Sequence, residues 1–219
     1  MKYKTVIFDL DGTLLDTLQD LTNSVNFALE SMQYPKRSID EVRLFVGNGI
    51  GKLIDRAVPK NTDEKSVCTV LEIFKNHYEQ HCEDYTAPYP GIIKFLSCLK
   101  EHGIQSAVVS NKADFAVKKL CEKFFGNQIQ IAVGECEGIR RKPAPDSLLS
   151  VLESLHTEPK NAVYIGDSDV DIETARNANM DMISVTWGFR DKNFLLENGA
   201  FVFADSVSQL ENLILESHV

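Results

Sequence analysis

The pattern of apolar and polar positions changes along the chain and divides it into three stretches. The segment from Thr5 to Phe8 predicts a short strand of the kind that is buried on both faces of a parallel sheet. Apolar residues then recur at helical spacing until about residue 86, and from residue 88 helices and strands alternate. The chain is therefore expected to hold one α/β core that is interrupted by a helical insertion.

The insertion is predicted to be all-helical because no convincing buried strand occurs in it. Asp16 and Thr17 are placed to cap its first helix, and Pro35 follows the end of that helix. The predicted helices cover residues 18–32, 39–45, 50–58 and 64–82.

The remainder of the chain alternates between segments with helical spacing of apolar residues and short apolar strands. This alternation is typical of a parallel sheet covered by helices. Predicted helices cover residues 92–101, 113–125, 146–155, 170–178 and about 206–215. Predicted strands cover 104–109, 129–133, 162–165, 182–185 and 201–203. We therefore predict a doubly wound, Rossmann-like α/β core of residues 1–15 and 87–219. The helical domain, 16–86, is inserted after the first strand.

Composition excludes several classes of protein. The chain has 219 residues, 43% of them hydrophobic, and a formal net charge of -9. No cluster of basic and aromatic residues suggests nucleic acid, and no apolar run has the roughly 20 residues that span a bilayer. The start does not resemble a signal peptide. Five widely spaced cysteines predict reduced thiols, so we expect a cytoplasmic protein.

Candidate chemistry lies where the predicted strands end. The polar residues there are Asp9 and Asp11, Ser110 and Asn111, and Asp167, Asp169 and Asp171. Since carboxyl ends of parallel strands share one edge of the sheet, these side chains should meet, and Lys142 lies on a loop that could reach them. Clustered carboxylates repel one another unless a cation and a lysine are present. Mg²⁺ prefers oxygen ligands, so the arrangement suggests phosphoryl transfer.

Each motif also has a simpler interpretation when taken alone. Asp11-Gly12 is a common turn, Ser110-Asn111 is a common helix N-cap, and a loop lysine such as Lys142 is usually solvated. Asp167-Ser168-Asp169 could cap the following helix. Their joint arrangement favours the functional interpretation.

Four ordered motifs resemble those of the haloacid dehalogenase superfamily. They are Asp9-Leu10-Asp11-Gly12-Thr13, Ser110-Asn111-Lys112, Lys142-Pro143, and Gly166-Asp167-Ser168-Asp169-Val170-Asp171. The resemblance covers essentially the whole chain. The helical insertion is similar to the cap of the subclass that includes phosphoglycolate phosphatases.

The resemblance implies a role for each residue of these motifs. Asp9 would be the nucleophile that forms an aspartyl-phosphate, and Asp11 the general acid and base. Ser110 and Asn111 would bind the phosphoryl oxygens, and Lys142 would neutralise charge. The implied magnesium ligands are Asp9, the carbonyl of Asp11, Asp167 and Asp171. Members of the superfamily that act on haloacids lack the second aspartate, so Asp11 favours phosphate esters.

The insertion contains candidate substrate-binding residues. Gly47-Asn48-Gly49-Ile50-Gly51-Lys52 departs from a phosphate-binding P-loop in its spacing and has no preceding strand. We interpret it as a loop that opens a helix. Lys52 and Arg56 share the polar face of that helix, which is either a solvated face or, with Gly47 and Asn48, part of a substrate-binding surface.

We therefore expect a Mg²⁺-dependent phosphatase for a small phosphorylated metabolite such as 2-phosphoglycolate. A phosphosugar mutase resembling β-phosphoglucomutase and an inorganic pyrophosphatase are alternatives within the superfamily. A non-enzymatic binding protein is disfavoured because every polar residue that the chemistry requires is present. The expected partners exclude nucleic acid and membranes, and the expected state is a monomer or homodimer.

Overall fold

The computed structural model describes residues 2–216 and contains two compact units. One is formed by the chain up to Leu15 and from Pro88 onward, and the other by Asp16–Ala87. The strands are β1 (Thr5–Phe8), β2 (Leu15–Asp16), β3 (Ala87–Pro88), β4 (Gln105–Ala113), β5 (Ile131–Glu135), β6 (Ala162–Gly166), β7 (Asp181–Val185) and β8 (Phe203–Ala204). The helices are α1 (Leu18–Ser31), α2 (Ile39–Phe45), α3 (Gly49–Ala57), α4 (Glu64–His81), α5 (Ile92–Glu101), α6 (Asp114–Phe125), α7 (Asp146–Ser154), α8 (Asp169–Asn177), α9 (Lys192–Glu197) and α10 (Val207–Leu215).

The first unit is built on a six-stranded parallel sheet with the order β5-β4-β1-β6-β7-β8. Phe8 at the end of β1 lies opposite Val108 of β4 and Ile165 of β6. From β1 the chain winds first to one edge and then to the other, so β1 stands at the centre of the sheet. This confirms the predicted doubly wound α/β fold.

Side chains of β1 alternate between two apolar layers, as the two-residue period of a strand requires. Ile7 packs with Leu148 of α7 and Ala175 of α8 in one buried cluster. Phe8 contacts Phe95 of α5 edge to face, with 6.1 Å between ring centroids. Because helices cover both faces of the sheet, β1 is completely buried. A charged residue that directly follows β1 therefore also lies close to the protein interior.

The second unit consists of α1 to α4. Helix α2 begins at a capping box in which the Ser38 hydroxyl accepts from the Glu41 amide, while Glu41 accepts from the Ser38 amide. Leu29, Ile54 and Phe74 belong to three different helices and are fully buried. These helices match the segments predicted from periodicity to within one residue at each end.

Three features of the first unit differ from the sequence prediction. Strand β4 continues to Ala113, so Ser110 and Asn111 lie inside a strand and the N-cap interpretation of this pair is wrong. Helix α9 was not predicted, because six residues are too few to establish a helical period. Phe201, expected to start the last strand, precedes β8 and is 86% exposed.

The cysteines and helices add two facts about the described part of the chain. All five cysteines are free thiols. Between residues 2 and 216, every helix is too short or too polar to cross a bilayer.

Candidate active site

The site lies at the carboxyl ends of three neighbouring strands. Asp9 follows β1, Ser110 lies near the end of β4, and Asp167 follows β6. Since β4 and β6 are the two neighbours of β1, the sheet order itself brings these side chains together. All three are at least nine-tenths buried.

Asp9 is held by groups from three parts of the chain. Its Oδ1 accepts from the Leu10 amide at 2.7 Å, and its Oδ2 lies 3.0 Å from the Lys142 ammonium. The Ser110 hydroxyl also donates to this carboxylate. Burial raises the pKa of Asp9 to about 6, although Lys142 acts in the opposite direction. At neutral pH most of the carboxylate is ionised and has nucleophilic oxygens.

Lys142 is buried among acidic and hydroxyl groups. Its Nζ lies 2.7 Å from Oδ1 of Asp171 and 2.9 Å from the Tyr164 hydroxyl. Burial alone would lower the pKa of Lys142, but the carboxylates of Asp171 and Asp9 raise it above its usual value. Lys142 is therefore a fixed positive charge beside the Asp9 oxygen.

Asp171 uses both of its carboxylate oxygens within the protein. Oδ1 accepts from Lys142 and lies 3.1 Å from the Tyr164 hydroxyl. Oδ2 accepts from the amides of Asp167 and Ser168 and from the Ser168 hydroxyl at 2.6 Å. This completely buried carboxylate is thus positioned as the partner of Lys142.

Asp167 occupies a narrow space between two glycines. A Cβ atom on Gly12 or on Gly188 would collide with the Asp167 carboxylate. Oδ1 accepts from the Thr13 hydroxyl at 3.3 Å, and Oδ2 accepts from the Phe189 amide at 2.6 Å. Burial, with Asp171 and Asp9 nearby, raises the pKa of Asp167 well above its usual value.

Three consecutive residues at the end of β4 contact three different site residues. Ser110 donates to Asp9, and the Asn111 side-chain amide donates to the Lys142 carbonyl at 3.0 Å. The Lys112 ammonium lies 2.9 and 3.1 Å from the two carboxylate oxygens of Asp11. This strand end therefore connects Asp9, Asp11 and Lys142.

One group of acidic side chains has the spacing of a cation site. Carboxylate oxygens of Asp9, Asp167 and Asp171 lie within 4.8 Å of one another. Together with Asp11 the site holds four carboxylates against the ammonium groups of Lys112 and Lys142. Carboxylates outnumber the lysine ammonium groups here, and the all-oxygen donor set suits Mg²⁺. All three carboxylates accept hydrogen bonds within the protein, but Asp171 accepts the most and is completely buried, so Asp9 and Asp167 are the better side-chain ligands.

Two of the candidate residues of the helical unit, Asn48 and Arg56, contact each other. Arg56 donates to the Phe45 carbonyl at 2.7 Å and to Oδ1 of Asn48 at 2.8 Å. Gly47 has a φ of 119°, a conformation that favours glycine. Lys52 pairs with Asp55 at 3.2 Å on the exposed side of α3. Arg56 thus holds the loop that contains Gly47 and Asn48.

Several residues of the site have roles that the sequence did not indicate. Tyr164 is an apolar strand position by pattern, and its buried hydroxyl contacts Lys142. Gly188 and the Phe189 amide lie in the loop after β7, and they hold Asp167. Lys112 stood in the second motif without a role. The spacing from Ser110 could have indicated its role. In an extended chain, a lysine two residues after a serine lies on the same side as that serine.

Family and structure comparisons agree with this geometry. The family model for haloacid dehalogenase-like hydrolases matches residues 6–185, from β1 to the end of β7. The chain belongs to this family. The match spans all four motifs and the helical unit between the first and the second.

Individual relatives extend over nearly the whole chain. It is 31% identical over 215 residues to the phosphoglycolate phosphatase of Aquifex aeolicus, covering 97% of this chain and 99% of the relative. It is 31% identical over 214 residues to phosphoglycolate phosphatase 1 of Pseudomonas aeruginosa, covering 94% and 78%.

Two crystal structures of proteins predicted to be phosphoglycolate phosphatases also match. For the protein from Lactobacillus delbrueckii subsp. bulgaricus the TM-score is 0.93 at 40% identity, covering 98% of this chain and 99% of the other. For the protein from Haemophilus somnus the TM-score is 0.91 at 26% identity, with 97% and 98% covered. The chain is a phosphatase-type member of the family, a phosphoric monoester hydrolase.

Proposed function

We propose that this chain is a Mg²⁺-dependent phosphatase that hydrolyses a small carboxylate-bearing phosphate ester of the 2-phosphoglycolate type. The observation that carries the proposal is the contact of Asp9 with Lys142, 3.0 Å apart at the end of the central strand. A buried carboxylate beside a buried ammonium suits attack on a phosphoryl group, because the ammonium offsets the repulsion between two anions.

In the first step an Asp9 carboxylate oxygen attacks phosphorus and the bond to the ester oxygen breaks. The phosphoryl group passes to Asp9, and Asp11 gives its proton to the departing oxygen. Lys142 and the Ser110 hydroxyl stabilise the transferred phosphoryl oxygens. Asn111 acts by holding the Lys142 backbone through its carbonyl.

In the second step Asp11 takes a proton from water as the water attacks the aspartyl-phosphate. Inorganic phosphate leaves, Asp9 is regenerated as a carboxylate, and Asp11 again carries a proton. Asp171 and Tyr164 keep Lys142 in place through both steps.

Magnesium fits the donor set of this site. Asp9, Asp167 and the backbone carbonyl of Asp11 would hold it, while Asp171 positions Lys142. Burial that raises the pKa values of Asp9 and Asp167 indicates carboxylates short of compensating positive charge. When bound, the ion supplies charge neutralisation for the phosphoryl group.

The helical unit, residues 16–86, is proposed as a cap domain that selects the leaving group. Gly47, Asn48, Lys52 and Arg56 are its candidate substrate-binding residues. Two positive side chains suit a leaving group with a carboxylate, as the names of the relatives suggest. A cytoplasmic location and a monomer or homodimer complete the proposal.

The decisive experiment measures phosphate release from metal-stripped protein with and without Mg²⁺. We expect activity only with Mg²⁺, a preference for 2-phosphoglycolate over neutral esters, and a loss of several orders of magnitude in Asp9→Asn. Detection of isomerised sugar phosphate in place of free phosphate would support the mutase alternative. Normal turnover of folded Asp9→Asn would exclude the aspartyl-phosphate.

A further inference from the structure

The end of β4 carries a second buried lysine whose partner is the proposed acid and base. The Lys112 side chain is 2% exposed, and its ammonium contacts both oxygens of Asp11, whose side chain is 13% exposed. Two charge-assisted hydrogen bonds from one buried ammonium hold the carboxylate in place more firmly than a single contact would.

The backbone holds Lys112 in position as well. Its amide donates to the Ser110 hydroxyl at 3.4 Å, so the residue is tied to the group that contacts Asp9. Across the sheet, a Cβ atom on Gly134 would lie 2.6 Å from the Lys112 carbonyl oxygen. Glycine at this position of β5 therefore lets the end of β4 approach closely.

The two lysines of the site contact different carboxylates. Lys142 contacts Asp9 and Asp171, and Lys112 contacts Asp11. The first lysine lies beside the proposed nucleophile, where phosphoryl transfer takes place. The second lies beside the group that exchanges a proton with the leaving group and with water.

We infer that Lys112 is a positioning residue that aims the Asp11 carboxylate at the water that hydrolyses the aspartyl-phosphate. This inference rests on the proposed function. Asp11 must be a carboxylate when it accepts the proton of water, and that is the form that two hydrogen bonds from an ammonium orient. Loss of Lys112 should therefore slow the second step more than the first.

The experiment uses p-nitrophenyl phosphate in a rapid-mixing assay with Mg²⁺. The p-nitrophenolate leaving group departs without a proton, so the first step needs no acid. The initial burst of p-nitrophenol therefore reports the rate of the first step alone. The measured quantity is the ratio of the burst rate to the steady-state rate. In Lys112→Met this ratio should rise on the order of tenfold or more, with a burst near one p-nitrophenol per enzyme.

Three variants make the test specific. Lys112→Arg keeps a donor pair for the carboxylate and should restore the ratio in large part. In the Asp11→Asn background, Lys112→Met should change the ratio little, because the carboxylate that Lys112 positions is absent. Lys118→Met, at an exposed ion pair of α6, should leave the ratio unchanged.

Other outcomes overturn the inference. If Lys112→Met lowers the burst rate and the steady-state rate equally, or changes neither rate, the lysine does not act through Asp11 in the second step. Lys112→Gln gives the same measurement if the methionine variant does not fold. If folded Asp9→Asn turns over normally, the proposed function itself has failed, and this result is separate from any behaviour of Lys112.

Discussion

Lys142 and Asp171 form a buried ion pair, with 2.7 Å between Nζ and Oδ1 and side-chain exposures of 3% and 0%. The two residues are 29 positions apart in sequence. Lys142 also donates to the Tyr164 hydroxyl, and the Ser168 hydroxyl donates to Asp171. Taking two charges out of water is costly, and their mutual contact together with these hydrogen bonds offsets this cost. The pair therefore ties the fold of the α/β unit to the position of a charge that catalysis requires.

We expect Asp171→Asn to lower both stability and turnover. The substitution leaves Lys142 with one carboxylate partner in a buried site, which should lower the free energy of unfolding by about 3 kcal/mol. Urea denaturation measures this loss. The matched control is Glu158→Gln in the exposed pair with Lys160, where we expect little change. Equal effects of the two substitutions would show that burial of the pair does not matter.

Gly12→Ala should weaken Mg²⁺ binding through Asp167. Gly12 has a φ of 80°, and an added Cβ atom would collide with the Asp167 carboxylate. Displacing that carboxylate should raise the Mg²⁺ concentration needed for half-maximal activity. Gly103→Ala is the control, because Gly103 has a φ of 70° with nothing within 4 Å of an added Cβ. Both variants should lose about 1–2 kcal/mol of stability from backbone strain. Only Gly12→Ala should change the metal requirement.

The sequence was sufficient to predict which strand ends meet at the candidate site. Asp9, Ser110 and Asp167 each follow or end an apolar run, and the rule that parallel strands share a carboxyl edge places them together. Periodicity also predicted the four helices of the second unit, because their apolar faces are long enough to show a period. These parts depend on local pattern together with one rule of topology.

Contacts between distant residues could not be predicted in the same way. Lys112 and Asp11 are 101 positions apart, and their contact depends on β4 continuing through four polar or small residues to Ala113. That continuation depends on close approach of β5 at Gly134, which no local pattern indicates. The space around Asp167 likewise requires the loop after β7 to place Gly188 against it.

Asp9→Asn should stabilise the metal-free protein at neutral pH while it abolishes turnover. An aspartate in an unfolded chain has a pKa of about 3.9, whereas burial raises the pKa of Asp9 to about 6. Between these values the folded chain binds the extra proton, so stability falls as pH rises through this window. Above this pH window, the ionised Asp9 carboxylate lowers the free energy of unfolding by an amount on the order of 1–3 kcal/mol. Asparagine carries no charge and avoids this loss.

The measurement is urea denaturation of both proteins in a chelator at pH 7.5 and pH 4.5. We expect Asp9→Asn to be the more stable protein at pH 7.5, with a smaller difference at pH 4.5. Mg²⁺ should stabilise the wild type and have little effect on the variant, because the variant lacks a proposed ligand. A variant that is less stable than the wild type at pH 7.5 would mean that the contact with Lys142 outweighs the cost of burial.

Substitutions in the helical unit should change selectivity while leaving the chemical step intact. Arg56 holds the Asn48 side chain and the Phe45 carbonyl, and Lys52 lies one turn earlier on α3. A lost charge-assisted hydrogen bond is worth about 1.5–3 kcal/mol, or roughly 10- to 100-fold in relative rate. We therefore expect Arg56→Ala and Lys52→Ala to lower the ratio of kcat/KM for 2-phosphoglycolate over p-nitrophenyl phosphate by such a factor. Lys65→Ala, an exposed lysine of α4, should leave the ratio unchanged.

The contact with Asn48 allows a sharper test of how Arg56 acts. If Arg56 works by holding the loop, Asn48→Ala should produce a similar change in the ratio, and the double variant should add little to either. If Arg56 contacts the substrate carboxylate directly, the double variant should lose the product of the two effects. An unchanged ratio in Arg56→Ala and Lys52→Ala would assign both side chains to the solvated face of α3, and substrate selection would then depend on other residues.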